Sequence, residues 1–143
     1  MRSKQKQQLT MNRNKDQRTL TKAEMEIMNI IWSSSMEELS VRDVLEAYQE
    51  PKPAYTTVAT FMKILTQKGF LEPQKREGGG KTLFFAPLIT QDEYRDRVMS
   101  EVKDNFFGGS VKSLVSYFMK EEKLSSQEMD ELMELIKKEA VGM

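Results

Sequence analysis

Neither cysteine nor histidine occurs among the 143 residues of the chain. Without cysteine there is no disulfide framework, no thiolate metal site and no thiol nucleophile; without histidine the commonest metal ligand and general base is missing as well. Most enzyme chemistry is thereby removed, and the 22 acidic residues lie scattered on apparent helix faces, so the chain reads as a non-enzyme with no cofactor. Long apolar runs are also lacking. The stretch from Thr82 to Ile89 falls far below the roughly 20 residues of a membrane-spanning helix, and the polar N-terminus has no apolar segment of a signal peptide. The expectation is a cytoplasmic protein with no membrane insertion. At this length the chain can bury one ordinary core or two small ones, and small cores are marginal without a partner subunit.

An excess of charge of one sign is missing too, since 22 basic residues balance 22 acidic ones. Their distribution is uneven. Residues 1–20 carry six Lys/Arg against one Asp, whereas residues 86–143 carry eight basic against twelve acidic side chains. Residues 1–19 read as a basic, disordered and solvated tail, with a DNA-contacting arm as the alternative.

Order is predicted to begin at Thr21-Lys22-Ala23-Glu24, which has the form of a capping box. Met25, Met28, Ile31 and Trp32 then recur at helical spacing and give one apolar face through about Ser34. Met36 to Leu39 is a link with room for a minor strand. Ser40 caps a second helix with Val41, Val44, Leu45 and Tyr48 on its apolar positions, and Pro51 and Pro53 stop it. A third helix from about Tyr55 to Lys68 turns Val58, Phe61, Met62 and Leu65 inward and ends at Gly69. Phe70–Lys75 and Lys81–Pro87 read as strands joined by the Gly78-Gly79-Gly80 loop. Residues 20–89 therefore follow the order of a winged helix-turn-helix domain, and the chain is mainly α with a small β-hairpin.

Residues 90–143 open with a second capping-box sequence at Thr90 and carry Tyr94, Val98, Val102 and Phe106 as a spaced apolar set. Gly108-Gly109 breaks this helix. Val111, Leu114, Val115 and Phe118 mark the next, and Met129, Leu132, Leu135 and Ile136 the last. Such short amphipathic helices need a second copy to cover them, which predicts a three-helix homodimerisation domain; a monomeric extension packed on the hairpin is the alternative. Of the eleven methionines, Met25, Met28, Met62, Met129 and Met133 fall at or near core spacing and read as core filling.

The third helix carries Thr56, Thr57, Thr60 and Lys63 opposite its core, with Tyr55 at its start. Short hydroxyl side chains with few acids suit a helix entering the major groove, where hydroxyls reach phosphate or base and threonine methyls meet the thymine methyl. Around the hairpin loop, Lys75, Arg76 and Lys81 are placed to pair with phosphates, as is Lys22 at the start of the first helix. The glycine run is no phosphate-cradling loop, because it lacks the Gly-Lys-Ser/Thr sequence and leads into a strand. Double-stranded operator DNA is the expected partner, and a winged-helix module that docks protein is the alternative.

Three stretches carry a family likeness: Leu20-Thr21-Lys22-Ala23-Glu24-Met25-Glu26-Ile27-Met28-Asn29-Ile30-Ile31-Trp32; Tyr55-Thr56-Thr57-Val58-Ala59-Thr60 with Lys68-Gly69-Phe70-Leu71; and Gly108-Gly109 followed by Ser113-Leu114-Val115. In their order and spacing the chain resembles the penicillinase-repressor and methicillin-resistance-repressor family of bacterial winged-helix regulators. The resemblance implies a homodimeric repressor that binds a palindromic operator through the third helix and is inactivated by proteolysis under a membrane-sensor pathway. Two positions depart from the family pattern: Ala59 stands where relatives commonly have Arg, and Tyr117-Phe118 where the characterised repressors have an Asn-Phe cleavage bond. Copper-responsive relatives use a C-terminal cysteine cluster, which this chain lacks, so thiolate copper sensing is excluded.

Overall fold

The computed structural model of the chain describes residues 19–78 and 80–141. The basic segment 1–18 lies outside the described residues. Among the described residues six helices and one hairpin follow in the order α1 (Lys22–Ser33), α2 (Val41–Ala47), α3 (Tyr55–Gln67), β1 (Leu71–Lys75), β2 (Leu83–Pro87), α4 (Gln91–Phe107), α5 (Val111–Glu121) and α6 (Ser126–Val141). The chain divides into two compact units, the first ending at Tyr94 and the second beginning at Arg95. Among the described residues no helix is long and apolar enough to cross a membrane.

In the first unit α1 starts where its capping box predicts. The Glu24 amide donates to Thr21 Oγ1 at 3.3 Å and the Thr21 amide donates to Glu24 Oε1 at 2.8 Å. The buried stripe differs from the expected one: it is Glu24, Ile27, Met28 and Ile31, whereas Met25 and Trp32 are half-buried at its edges. These four positions have the i, i+3, i+4, i+7 spacing of one helix face, and a carboxylate occupies the first. A second capping box, Ser40 with Asp43, starts α2. That helix stops one residue before Tyr48, whose extended backbone breaks it.

The inner face of α3 is Val58, Met62 and Leu65, with Phe61 half-buried. Its C-terminus closes by a double bond pattern, the Phe70 amide donating to the Leu65 carbonyl and the Gly69 amide to that of Thr66. This needs a left-handed residue, and Gly69 supplies it at φ +88°. Phe70, committed to this closure and buried, leaves β1 to begin one residue later than periodicity suggests.

The two strands pair antiparallel in the register Leu71↔Pro87 to Lys75↔Leu83. Leu39 bridges the opposite side of β2 through both bonds to Phe85, at 2.8 and 3.0 Å, so the link after α1 contributes the minor strand. β1 is thus an edge, which is why Pro73 is tolerated within it.

Tyr94 closes this unit. Its ring lies 5.9 Å from that of Trp32 and 5.6 Å, edge-on, from that of Phe70, and its hydroxyl accepts from the Leu20 amide at 2.9 Å. Sequence spacing groups Tyr94 with Val98, Val102 and Phe106; burial assigns it instead to the first core, because only there do aromatic neighbours cover it.

In the second unit Gly108 and Gly109, both at positive φ, end α4. Ser110 caps α5, and Ser125 accepts from the Glu128 amide at the start of α6. None of its described residues is buried. Met129 and Met133, expected as core filling, are exposed, since among the described residues of this unit nothing covers this face of α6.

The Glu24 carboxylate is 2% exposed and takes the Lys68 ammonium at 2.7 Å. Burial alone pushes this carboxyl up, but the hydrogen bond from Lys68, those from Thr21 and the Lys68 charge outweigh it and hold the group below its ordinary value. A carboxyl with a depressed folded pKa contributes stability that is complete above its unfolded pKa of about 4.3 and is lost as pH falls through the folded value. Lys68→Met is expected to cost about 1–3 kcal/mol at neutral pH, and the deficit against wild type should shrink on acidification. Urea unfolding followed by Trp32 fluorescence measures this; a deficit that does not change with pH would disprove the coupling.

Candidate nucleic-acid interface

The outer face of α3 is set by its inner one. With Val58, Met62 and Leu65 buried, the 100° step per residue turns Thr56, Thr60, Lys63 and Gln67 to the opposite side, and all four are exposed. Tyr55, half exposed, stands at the helix start. Lys63 is the one charged side chain of α3, so no carboxylate on this helix opposes a polyanion. Gln67, which stands one turn beyond Lys63, extends the row; its position four residues on is a signal that the hydroxyl cluster obscures.

Thr57 departs from this row. Although exposed, it faces a cleft of about 750 Å³ between α1, α2 and the turn before α3, lined also by Glu26, Ile30, Tyr48, Pro51 and Phe61. Burial pushes the Tyr48 hydroxyl up in pKa, and the Glu26 charge adds to this.

Two local features define what the helix offers chemically. Ala54, at the N-cap, has no side-chain oxygen, so α3 begins without the side-chain cap that α1 and α2 possess. Its first amides and the positive end of the helix dipole are open to an anion. The Thr60 hydroxyl donates to the Thr56 carbonyl at 2.8 Å. Its proton is thereby engaged, and Oγ1 presents lone pairs that suit an exocyclic amino group of adenine or cytosine.

The cations expected on phosphate occupy three different settings. Lys22 is exposed at the start of α1, and Lys75 and Lys81 are exposed on the hairpin. Arg76 is held rather than free: its Nε donates to Glu38 Oε1 at 3.3 Å and its guanidinium lies 3.6 Å from the centre of the Phe84 ring. Glu38 and Phe84 carry no motif in the sequence that would mark them, because their partner lies across the hairpin. Lys68, by contrast, is spent on Glu24 and on the Thr19 carbonyl at 3.3 Å.

The C-terminal apolar positions are exposed or half-buried throughout. Val98, Val102, Leu114, Val115 and Leu132 are half-buried; Phe106, Val111, Phe118, Met129, Leu135 and Ile136 are exposed, Phe106 at 78%. Tyr117 and Phe118 stand side by side on α5, both exposed, with ring centres 5.4 Å apart.

Comparison with known proteins gives a family. The family model described as penicillinase repressor matches residues 20–138. A penicillinase repressor of Staphylococcus aureus is 27% identical over 118 residues, 82% of this chain and 90% of that protein; one of Bacillus licheniformis is 25% identical, covering 82% and 88%. The methicillin resistance regulatory protein MecI of Staphylococcus aureus is 28% identical over 120 residues, covering 83% and 94%. With a compact helical unit, a two-stranded hairpin and a run of helices matched almost end to end, this chain belongs to the penicillinase repressor family of transcriptional regulators.

Proposed function

We propose that the chain is a sequence-specific DNA-binding repressor acting as a homodimer on a palindromic operator, relieved by proteolysis or by a sensor pathway. The observation that carries the DNA reading is the outer face of α3, an exposed hydroxyl-rich row without a carboxylate on a helix whose N-terminus is open. In the major groove Tyr55, Thr56, Thr60 and Lys63 meet base edges and backbone, with Thr57 at the margin of that contact. Lys22, Arg76 and Lys81 pair with phosphates and supply the salt-dependent part of the affinity. Family membership supports repression as the outcome of binding.

The dimer reading rests on the second unit. Among the described residues, the apolar side chains at helical spacing along α4, α5 and α6 are exposed or only half-buried, and a symmetric second copy presents the same surface to cover them. Two α3 helices then enter successive major grooves about 34 Å apart. Tyr117-Phe118 lies within α5, so a protease needing an extended substrate reaches it only after that helix unwinds; loss of α5 would dissolve the dimer and release the operator.

Replacing Thr56 and Thr60 together by alanine should cost about 1–3 kcal/mol for each base contact removed, read by fluorescence anisotropy with DNA from upstream of the protein's own gene. Unchanged specific affinity would rule out α3 as the reader. For the dimer, light scattering on the full chain at micromolar concentration should give twice the chain mass, and Ile136→Asp should shift it towards one. A wild-type monomer under these conditions would contradict the assignment.

A further inference from the structure

We propose that Glu38, an acidic residue, is a positioning residue for DNA binding: together with Phe84 it holds Arg76 ready for a backbone phosphate. The inference rests on the DNA-binding reading above and adds to it a role for a carboxylate where simple charge counting predicts harm. Three segments converge here. Glu38 precedes Leu39, whose two backbone bonds to Phe85 pin the link against β2. Phe84 is the neighbouring residue on β2, and Arg76 directly follows Lys75, the last residue of β1. The hairpin and the link thus place an acceptor and an aromatic face around one guanidinium.

A guanidinium has five N–H donors in a rigid fork. The bond to Glu38 engages the Nε donor, and the Phe84 ring covers one face of the plane. Among the described residues the terminal nitrogens make no further hydrogen bond, and the Arg76 side chain is 48% exposed. The plane is therefore fixed from inside while its terminal donors stay available to an acceptor from outside, the geometry of bidentate phosphate binding. A free arginine of the hairpin would lose its rotamer entropy on binding; here Glu38 and Phe84 have ordered it beforehand. Glu38 is itself only 23% exposed, so its charge is largely turned toward Arg76 rather than presented to the duplex.

The test uses the full chain and a short mixed-sequence duplex, since a phosphate contact needs no operator. Arg76→Ala should lower the slope of log affinity against log salt by about 0.9. Glu38→Ala makes the protein more positive, yet it should weaken binding on the order of threefold to tenfold, and should have no further effect in the Arg76→Ala background. Glu38→Gln, which keeps an acceptor for Nε, should restore most of the affinity. Phe84→Leu, which changes no charge, should weaken binding as Glu38→Ala does, and Trp32 fluorescence unfolding reports whether each variant keeps its fold. Tighter or equal binding by Glu38→Ala, or an equal loss with and without Arg76, overturns the proposal. Wild-type protein with no affinity for any duplex would instead remove the DNA-binding reading on which it stands.

Discussion

A single buried carboxylate organises the first unit. Glu24 sits in the first position of the stripe that α1 turns into the core, where an unpaired charge would be untenable. Three groups make it tolerable: the Thr21 amide and hydroxyl at the head of α1, and the Lys68 ammonium at the tail of α3. One oxygen atom, Oε1, therefore joins the start of one helix to the end of another, and Lys68 passes the tie on to the Thr19 carbonyl. Because α3 is clamped at that end and packed along Val58, Met62 and Leu65, its opposite face has a fixed direction. The hydroxyl row is exposed as a consequence of how the core is closed.

The two units resolve the problem of small cores differently. The first uses every element it has: α1, α2, α3, the link strand, the hairpin and the first turn of α4 all contribute to one interior, and Tyr94 seals it with a buried hydrogen bond from the Leu20 amide. The second has well-capped helices with amphipathic sequences but no buried residue among those described. Capping and helix propensity stabilise each helix locally, yet they do not bring an apolar face out of water. In the proposed homodimer a second copy covers that face.

Charge near a polyanion is commonly counted rather than placed, and here placement changes the meaning. Lys68 is a cation that serves the core and offers nothing to DNA. Glu38 is an anion whose neighbour is a cation stacked on an aromatic ring. A net charge of zero therefore says little about how the surface meets phosphate, since individual ion pairs remove some charges from the field and orient others.

Local signals were strong enough in the sequence to determine the elements. The Thr21 and Ser40 caps, Gly69 and the strand–glycine–strand pattern each act within a few residues, and the helices and hairpin follow them closely, although α2 ends at Tyr48, ahead of the prolines expected to stop it. The missing cysteine and histidine likewise determined which chemistry was closed, and the Thr56, Thr60 and Lys63 row was legible from helical spacing alone. Only the tertiary structure decided which apolar positions were core. Ile27 displaced Met25 because Glu24, read as a cap, also fills a core position; Tyr94 changed units because Trp32 and Phe70 surround it. Thr57 was turned to the cleft, Lys68 was spent on Glu24, and Arg76 was fixed by Glu38 and Phe84. Each of these outcomes depends on partners 38 to 74 residues away in the chain for the hydrogen-bonded cases, and contacts at that separation leave no periodic trace in the sequence, because periodicity records only which way a side chain points along its own element and not what it meets there.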